Sequence, residues 1–393
     1  MIEFSLHWRS EAAVHIDRYF AGTIDIQRAT FPGVALRHVY TLQPDETYAK
    51  SFDPGTLVPA FQKDAIIQFE GRQFEREHGG YAVTPRLGRF YPEAFAWAAL
   101  NCPRGSDTPF RLIAMDRTRL VADTNHPLAD YPLTLEAKGI EGLGYIDAQA
   151  RRSRDIRELV TANGPGMQAP YPGTATDFYS AYPFRRRNEN DDALFYESPR
   201  LVKHLDDEAV RQVELVYSRF LSCGSQILDL MSSWVSHLPH TLGDCETTGL
   251  GLNEEELRAN RQLSRHIVHD LNQNPVLPFE DDAFDAVICT ASIEYLTQPI
   301  EVIKEVARVT RAGGAIIATF SDRWFPGKEI LPWAELHPFE RLGLVLDYYV
   351  RAGGFQDLGT ESVRGCPRPR DDRHIGTTTN SDPIFAVWGR VEG

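Results

Sequence analysis

The chain has 393 residues, enough for two or three domains, and its apolar fraction of 42% and charged fraction of 24% are ordinary for globular proteins. The formal net charge of −14 argues against broad binding to nucleic-acid phosphates, which requires a basic surface. The five cysteines are scattered and predict no disulfide framework or metal site, and no long apolar run or secretory signal occurs, so we expect a cytoplasmic protein that does not bind membranes.

Residues 1–150 are predicted to form a β-rich domain. Short, partly alternating segments bounded by proline, glycine, aspartate and asparagine are typical of strands. Such segments lie at 20–29, 64–75, 110–116 and 132–140. The sequence Asn125-His126-Pro127 is interpreted as a tight turn, because asparagine can cap its own backbone and proline fixes φ.

Residues 151–200 are rich in proline, glycine and polar side chains, which is typical of a linker. Aromatic residues such as Tyr179 and Phe184 indicate that this linker packs on a neighbouring domain, since a free linker has no use for them. The run Arg185-Arg186-Arg187 is followed at once by acidic residues, and we interpret it as a solvated charge cluster.

Residues 201–393 alternate between helix and strand. The spacing of apolar residues predicts helices at 206–221, 253–263, 299–311 and 334–354. Apolar runs predict strands at 225–230, 247–252, 266–271, 284–290, 315–320, 355–363 and 383–391. Asn253 is predicted to cap its helix with Glu256 as the capping-box partner, and Gly313-Gly314 is expected to end the third helix. This alternation favours a mostly parallel sheet covered on both faces.

Three segments of this region occur in the order found in one enzyme family. GLGLNEEEL at 249–257, LPFEDDAFDAVICTASIEYL at 277–296 and RVTRAGGAIIATFS at 308–321 resemble the class I S-adenosylmethionine-dependent methyltransferases. The resemblance covers about 195–391. It implies an α/β fold with a Rossmann-like, doubly wound sheet of seven strands in a methyltransferase domain at 201–393. It also implies S-adenosylmethionine as cofactor and methyl transfer to a small-molecule or protein acceptor.

The N-terminal region resembles a second family. LIAMDRTRLVADTNHPLADYPLTLEA at 112–137 is similar to the final strands of FKBP-type prolyl isomerases of the SlyD kind, and PRLGRFYPEAFA at 85–96 resembles their flap. Asp130 stands where that family has glycine. The resemblance implies an FKBP/SlyD-like domain at 1–150 and offers a folding helper as an alternative function.

The candidate cofactor site follows from fold geometry, because ligands of open α/β sheets bind beyond the carboxyl ends of the strands, where the strand order reverses. The residues at those ends are Asp229, Met231, Ser232, Ser233, Gly251, Leu252, Asn253, Asp270, Leu271, Thr290, Ala291 and Ser292. By the resemblance, Asp270 is the acid near the adenine amino group.

Two features depart from the methyltransferase pattern. Met231, Ser233 and Val235 stand where the family has glycines, and a β-branched residue at positive φ is an outlier, so we expect the loop to follow a different path. Serine amides and hydroxyls would then hold the methionine end of the cofactor. Gly251 stands where the family has the acid that binds ribose, and Asn253 or Glu254 is the expected substitute.

His237 and Glu294 are the catalytic candidates, the first as a proton acceptor and the second as a residue facing the acceptor. Arg200 and His204 are expected to cover the pocket. Arg200 would pair with the cofactor's carboxylate or form a surface salt bridge, and Trp234 would pack in the loop or cover the cofactor. No metal site is expected. The alternative to an enzyme is a methyltransferase-like scaffold without catalysis; the acceptor and the oligomeric state cannot be read from the sequence.

Overall fold

The computed structural model of the protein describes residues 1–21, 42–78, 81–141 and 155–393. The strand expected at 20–29 lies outside these residues beyond Ala21, and the segment 151–200 is described from residue 155. The strands are β1 Ile2–Arg9, β2 Val14–Ala21, β3 Thr47–Phe52, β4 Ile66–Glu70, β5 Glu77–His78, β6 Tyr81–Ala82, β7 Phe90–Pro92, β8 Pro109–Met115, β9 Arg119–Asp123, β10 Leu133–Gly139, β11 Gln226–Leu230, β12 Glu246–Gly251, β13 Arg265–Val268, β14 Phe284–Thr290, β15 Thr310–Phe320, β16 Phe355–Arg364 and β17 Ile384–Val391. The helices are α1 Trp97–Leu100, α2 Ile156–Thr161, α3 Asp192–Phe195, α4 Asp207–Ser218, α5 Glu254–Ala259, α6 Pro299–Val309, α7 Leu331–Glu335 and α8 Pro338–Ala352.

The C-terminal part forms a mostly parallel sheet in the order β13-β12-β11-β14-β15-β17-β16. The first five of these strands are parallel, and β17 runs antiparallel to both of its neighbours. The order reverses between β11 and β14, the two neighbours at the centre. This arrangement confirms the predicted doubly wound sheet of the C-terminal part.

Helices cover both faces of this sheet. The helices α6 and α8 pack in one core, to which α6 contributes the apolar side chains expected from its spacing, including Val302 and Val306. The helix α4 packs in a second core through Val213, Val216 and Tyr217. In the described residues no helix is long and apolar enough to cross a membrane.

Several helix ends differ from the sequence expectation. The helix α4 ends at Ser218 and α5 at Ala259, and the helix predicted at 334–354 is divided into α7 and α8 because Leu336 and His337 have extended backbone. The helix α6 ends at Val309 rather than at Gly313-Gly314, because Thr310 already takes an extended backbone and starts β15. Asn253 caps α5 as predicted by accepting a hydrogen bond from the Glu256 amide at 2.9 Å. The reciprocal half of the capping box is wrong, since the Glu256 carboxylate turns away to other partners described below.

The N-terminal strands extend the same sheet to eleven strands, in the order β16-β2-β1-β10-β3. The strand β2 pairs with β16 in parallel, with Gly359 opposite Val14, and the remaining pairs are antiparallel. The strands expected within 64–75, 110–116 and 132–140 are confirmed by β4, β8 and β10. The domain boundaries at 150 and 200 stay a prediction.

A buried polar network joins β2 to β16. The Asp17 carboxylate is fully buried and accepts hydrogen bonds from Trp8 Nε1 at 2.9 Å and Ser362 Oγ at 2.8 Å. Burial raises the pKa of Asp17, and the hydrogen bonds counteract part of this effect. His15 Nδ1 lies 2.8 Å from Thr360 Oγ1 on β16. Because buried polar groups need partners, these contacts fix the register between the two strands.

A separate sheet in the order β4-β9-β8-β7 packs around its own apolar cluster. The turn beside it is confirmed as structural. Asn125 exchanges two hydrogen bonds with the backbone of Gln62, and His126 Nδ1 accepts from the Leu128 amide at 3.1 Å.

The segment between the two resemblances packs on the C-terminal core through Phe178 and Phe184. Within it, the interpretation of the arginine run as solvated is wrong for Arg186. Its side chain is only 7% exposed and donates to the buried Asp192 carboxylate at 2.8 Å. Arg185 and Arg187 on either side are exposed.

Candidate active site

A cavity of about 150 Å³ lies at the carboxyl ends of β11, β12 and β14. Every residue of the predicted cofactor site lines it: Asp229, Met231, Ser232, Ser233, Gly251, Leu252, Asn253, Asp270, Leu271, Thr290, Ala291 and Ser292. Of the two catalytic candidates, the structure brings His237 into the cavity and does not bring Glu294.

The loop after β11 replaces glycine with two residues in the left-handed region. Met231 has φ 57° and His237 has φ 53°, whereas Val235 does not take a positive φ. Each such residue costs about 1–2 kcal/mol relative to an ordinary backbone conformation. The Ser232 amide donates to the Leu250 carbonyl at 2.8 Å, and Ser232 Oγ donates to Asp229 at 2.5 Å. These bonds hold the loop against the end of β12.

Gly251 is required by this loop path. A Cβ atom at Gly251 would lie 2.2 Å from the Ser232 carbonyl oxygen, which is closer than atoms can approach. An acid at this position therefore has no room. The missing ribose acid and the altered loop have one physical cause, namely that the loop crosses the end of β12.

Glu256 is the acid that faces the cavity in place of a residue at 251, and the sequence reasoning missed it. Its side chain accepts from Ser233 Oγ at 2.6 Å and from the Arg200 amide at 2.6 Å. The signal was its position three residues after Asn253, which we interpreted only as a capping box.

The expected substitutes for the ribose acid are engaged elsewhere. Asn253 uses its oxygen to cap α5 and donates its amide to the Tyr196 carbonyl at 2.7 Å. Glu254 pairs with Arg258 at 2.6 Å and does not line this cavity.

Asp270 and Asp229 both line the cavity. Asp270 Oδ1 accepts from the Asn272 amide at 2.8 Å, which folds the turn after β13. Burial raises the pKa of Asp229 to about 7, and the Ser232 hydrogen bond opposes this shift. Asp229 therefore holds the loop as a carboxyl group that is partly protonated near neutral pH.

The turn after β14 is fixed by backbone and hydroxyl contacts. Ala291 has φ 48° and its amide donates to the Thr319 carbonyl at 2.7 Å. Thr290 Oγ1 lies 2.6 Å from the buried Tyr217 hydroxyl, and Ser292 Oγ donates to the Thr290 carbonyl at 2.9 Å. This turn is consequently rigid on the side of the cavity opposite Gly251.

His237 presents a neutral imidazole to the cavity. Burial first, and then the charges of Lys203 and His204, lower its pKa from 6.5 to about 4. Its Nδ1 atom is buried and has no hydrogen-bond partner among the described residues. A buried, unpartnered nitrogen on a cavity wall is free to accept a proton or a hydrogen bond from a ligand.

Glu294 lies behind the cavity wall. It is fully buried in the short helical turn after β14, and neither of its carboxylate oxygens has a partner in the described chain. Burial raises its pKa to about 8, so the group is predominantly neutral at pH 7. Its neighbour Tyr295 lines the cavity instead and accepts a hydrogen bond from the Phe325 amide at 2.8 Å.

The cavity is covered by residues 192–205, which we call the cover segment. Tyr196, Arg200 and His204 from this segment line the cavity together with Phe325 from the chain after β15. Trp234 Nε1 donates to the Val202 carbonyl at 3.1 Å, so this side chain joins the loop to the cover as well as packing beside it. In the described ranges no group of three or more histidine, cysteine, aspartate or glutamate side chains could hold a metal ion.

Residues 230–318 match the methyltransferase domain family. The demethylmenaquinone methyltransferase of Staphylococcus haemolyticus is 31% identical over 103 residues, which is 24% of this chain and 42% of that relative. The chain thus spans less than half of the curated relative that it matches.

Several solved structures of methyltransferases align with about half of this chain at low identity. An S-adenosylmethionine-dependent methyltransferase from Aquifex aeolicus is 17% identical and covers 48% of this chain and 90% of its own, with a TM-score of 0.31. One from Archaeoglobus fulgidus is 13% identical over 47% of this chain and 93% of its own, with a TM-score of 0.34. At these scores the likenesses add nothing to the fold assignment, which rests on the strand order.

Proposed function

We propose that the protein transfers a methyl group from S-adenosylmethionine to a small-molecule or protein acceptor. The convergence of the strand-end residues on one cavity, within a segment matching the methyltransferase domain, carries this proposal. A sulfonium methyl donor supplies the reactive group, so the protein has to bind, align and exclude water.

The side chains around the cavity fit such a cofactor. Glu256 supplies a carboxylate that can accept from ribose hydroxyls, and Asp270 can accept from the adenine amino group. Leu252 and Leu271 provide apolar walls for a planar base. The loop of Ser233 would lie against the methionine end. In contrast to the sequence expectation, the Ser232 amide and both serine hydroxyls already donate within the protein, to Leu250, Asp229 and Glu256.

His237 is the proposed proton acceptor. Because its pKa is about 4, the imidazole is neutral at pH 7 and its Nδ1 atom can take a proton or orient an acceptor hydroxyl or amine. The cover segment and Phe325 shield this position from bulk water, which strengthens the interactions of polar groups inside.

Thermal unfolding with S-adenosylhomocysteine tests the proposal. A ligand that binds only the native state raises the unfolding temperature as its concentration increases. We expect such a rise for the wild type. In Ser233→Trp the apparent affinity for S-adenosylhomocysteine should fall by more than tenfold, since the bulky side chain would fill the loop side of the cavity. Ser218→Trp, at an exposed position on α4, is the matched control.

An absence of any shift up to millimolar ligand would contradict the enzyme proposal. A shift without methyl transfer to any tested acceptor would favour the scaffold alternative. We further propose that the protein is cytoplasmic and binds neither nucleic acid nor membranes, as its charge and sequence favour.

The N-terminal region is proposed to be FKBP/SlyD-like on the resemblance at 85–96 and 112–137. A proline-limited refolding assay with the full chain tests the associated folding activity. Acceleration of the slow phase would support it, and an unchanged rate would remove it.

A further inference from the structure

The cavity is lined by acidic and basic side chains, and only some of their charges are paired with an opposite charge. Its acids are Asp192, Asp229, Glu256 and Asp270, and its basic side chains are Arg200, Lys203, His204, His237 and His269. Asp192 is neutralised by Arg186 and Lys328 at 2.8 and 2.7 Å. The Glu256 carboxylate accepts two hydrogen bonds, both from uncharged donors.

Arg200 is a basic side chain of the cavity that lies among aromatic rings instead of beside a carboxylate. Its guanidinium lies over three aromatic rings, at 4.4 Å from the Phe195 centroid, 4.9 Å from Phe325 and 5.4 Å from Tyr196. A single hydrogen bond of 3.0 Å runs from its Nη2 atom to the Phe195 carbonyl. Within the described part of the chain no carboxylate lies within 4.0 Å of it, so the surface salt bridge considered from the sequence is not formed.

The ionisable groups around Arg200 leave its guanidinium without an acidic partner in the described residues. His204 stands beside Phe325 at 5.1 Å between ring centroids, and its pKa is lowered first by burial and then by Arg200. Lys203 is compensated by the exposed Asp207, and the Glu256 contact is made by the Arg200 backbone rather than by its guanidinium. A half-buried guanidinium with free donors beside a cavity is suited to an anion.

We propose that Arg200, oriented by Phe195, Tyr196 and Phe325, binds the carboxylate of a ligand in this cavity. The aromatic rings fix the plane of the guanidinium, so that its free N–H groups can face a carboxylate in a paired geometry. The inference rests on the proposed methyltransferase function. The carboxylate belongs either to the aminocarboxypropyl part of the cofactor or to the methyl acceptor.

Calorimetric titrations of the full chain distinguish these sources. The probes are S-adenosylhomocysteine, 5′-methylthioadenosine, which lacks the carboxylate, and benzoate added to the complex with S-adenosylhomocysteine. The proteins are the wild type, Arg200→Gln, Arg200→Lys and the control Arg185→Gln, whose guanidinium stacks on Tyr182 at 5.1 Å outside this cavity.

We expect Arg200→Gln to lower the affinity for one of the carboxylate ligands by at least tenfold. If Arg200→Gln binds S-adenosylhomocysteine more weakly but binds 5′-methylthioadenosine with unchanged affinity, the carboxylate belongs to the cofactor. If the affinities for both nucleosides are unchanged and benzoate no longer binds, the carboxylate belongs to the acceptor. Arg200→Lys should recover only part of the affinity, because lysine keeps the charge and loses the planar fork.

Equal affinities of all probes for the wild type and a folded Arg200→Gln would overturn the inference. If that variant does not fold, the wild type alone decides: comparable binding of both nucleosides together with no benzoate binding overturns it. Failure of the wild type to bind either nucleoside rejects the methyltransferase proposal instead, and benzoate titrated into the free protein then decides the anion site by itself.

Discussion

Gly251 and Met231 both differ from the residue type that the methyltransferase pattern has at their positions. Met231 takes the positive φ of 57° that glycine would supply, and Gly251 leaves the space that a carboxylate side chain would occupy. The acid that lines the cavity near this point is Glu256, in the first turn of α5.

Replacing Gly251 by the acid of the family pattern should damage the site. In Gly251→Asp the new Cβ would meet the Ser232 carbonyl, so the loop must shift, and we expect a loss of about 1–3 kcal/mol in the free energy of unfolding. Affinity for S-adenosylhomocysteine should fall rather than rise. Urea unfolding and calorimetric titration measure the two effects.

Gly376→Asp is the control for this variant, because a side chain at Gly376 meets nothing within 4 Å. Stronger cofactor binding by Gly251→Asp would contradict the crossing of the loop over β12 as the reason for the missing acid.

At the scale of elements, the cover segment is anchored by one buried charge cluster. The Asp192 carboxylate, at the start of α3, accepts hydrogen bonds from Arg186, Lys328 and Asn272, the last at 2.9 Å. Burial raises the pKa of Asp192, but hydrogen bonds from Arg186 and Lys328 outweigh it and leave the pKa below the ordinary value. The cluster ties the cover to the chain after β13 and to the chain after β15.

Asp192→Asn should therefore destabilise the protein strongly. The substitution keeps the shape of the side chain. It leaves Lys328 buried without its counter-charge and Arg186 with only the exposed Glu189 at 3.8 Å, which costs about 3–5 kcal/mol. Urea unfolding measures the change in the free energy of unfolding. Binding of S-adenosylhomocysteine should also weaken, because Asp192 lines the cavity.

Asp207→Asn is the matched control, since it breaks the exposed pair with Lys203, whose side chains are 66% and 51% exposed. Exposed pairs contribute about 0–1 kcal/mol. Equal destabilisation by the two variants would show that the buried cluster does not anchor the cover.

The whole molecule is joined by an eleven-stranded sheet whose two parts meet at the pairing of β2 with β16. His15 lies in this junction, fully buried between Ser10 and Thr360 at 2.8 Å from each. Burial, followed by the charge of Arg9, lowers its pKa from 6.5 to about 3. The junction is thus built around an imidazole that remains neutral in the folded protein.

This imidazole predicts acid sensitivity of the whole fold. Below pH 6.5 the unfolded chain takes up a proton at His15, whereas the folded chain does so only near pH 3. The free energy of unfolding should therefore fall by about 1.4 kcal/mol per pH unit from this residue as the pH drops through that window. In His15→Asn the slope should be smaller by this amount, although the variant is less stable at pH 7. The remaining slope comes from His126, His237 and His337, whose pKa values burial lowers to about 4.

Urea unfolding at several pH values measures the slopes. His240→Asn removes an exposed imidazole and should leave the wild-type slope intact. The same slope in His15→Asn and the wild type would contradict a neutral His15 at the junction.

Local sequence patterns were sufficient for most elements of the C-terminal part and for the set of strand-end residues, but not for the division between α7 and α8. Apolar periodicity and strand ends are properties of neighbouring residues, and the parallel alternation then brings Asp229, Gly251, Asp270 and Thr290 to one edge of the sheet. His237 was found for the same reason, because it follows β11 in the loop.

Only the tertiary structure decided which groups face the cavity and which do not. Glu256, Arg200 and Asp192 depend on contacts between distant segments, and so does the sealing of Glu294 behind Tyr295. The sequence determined the strands and the edge where a ligand binds, because these follow from local periodicity. The loop path over Gly251, the unpaired Arg200 and the joining of β2 to β16 depend on which long-range neighbours fill the remaining space and supply the hydrogen bonds.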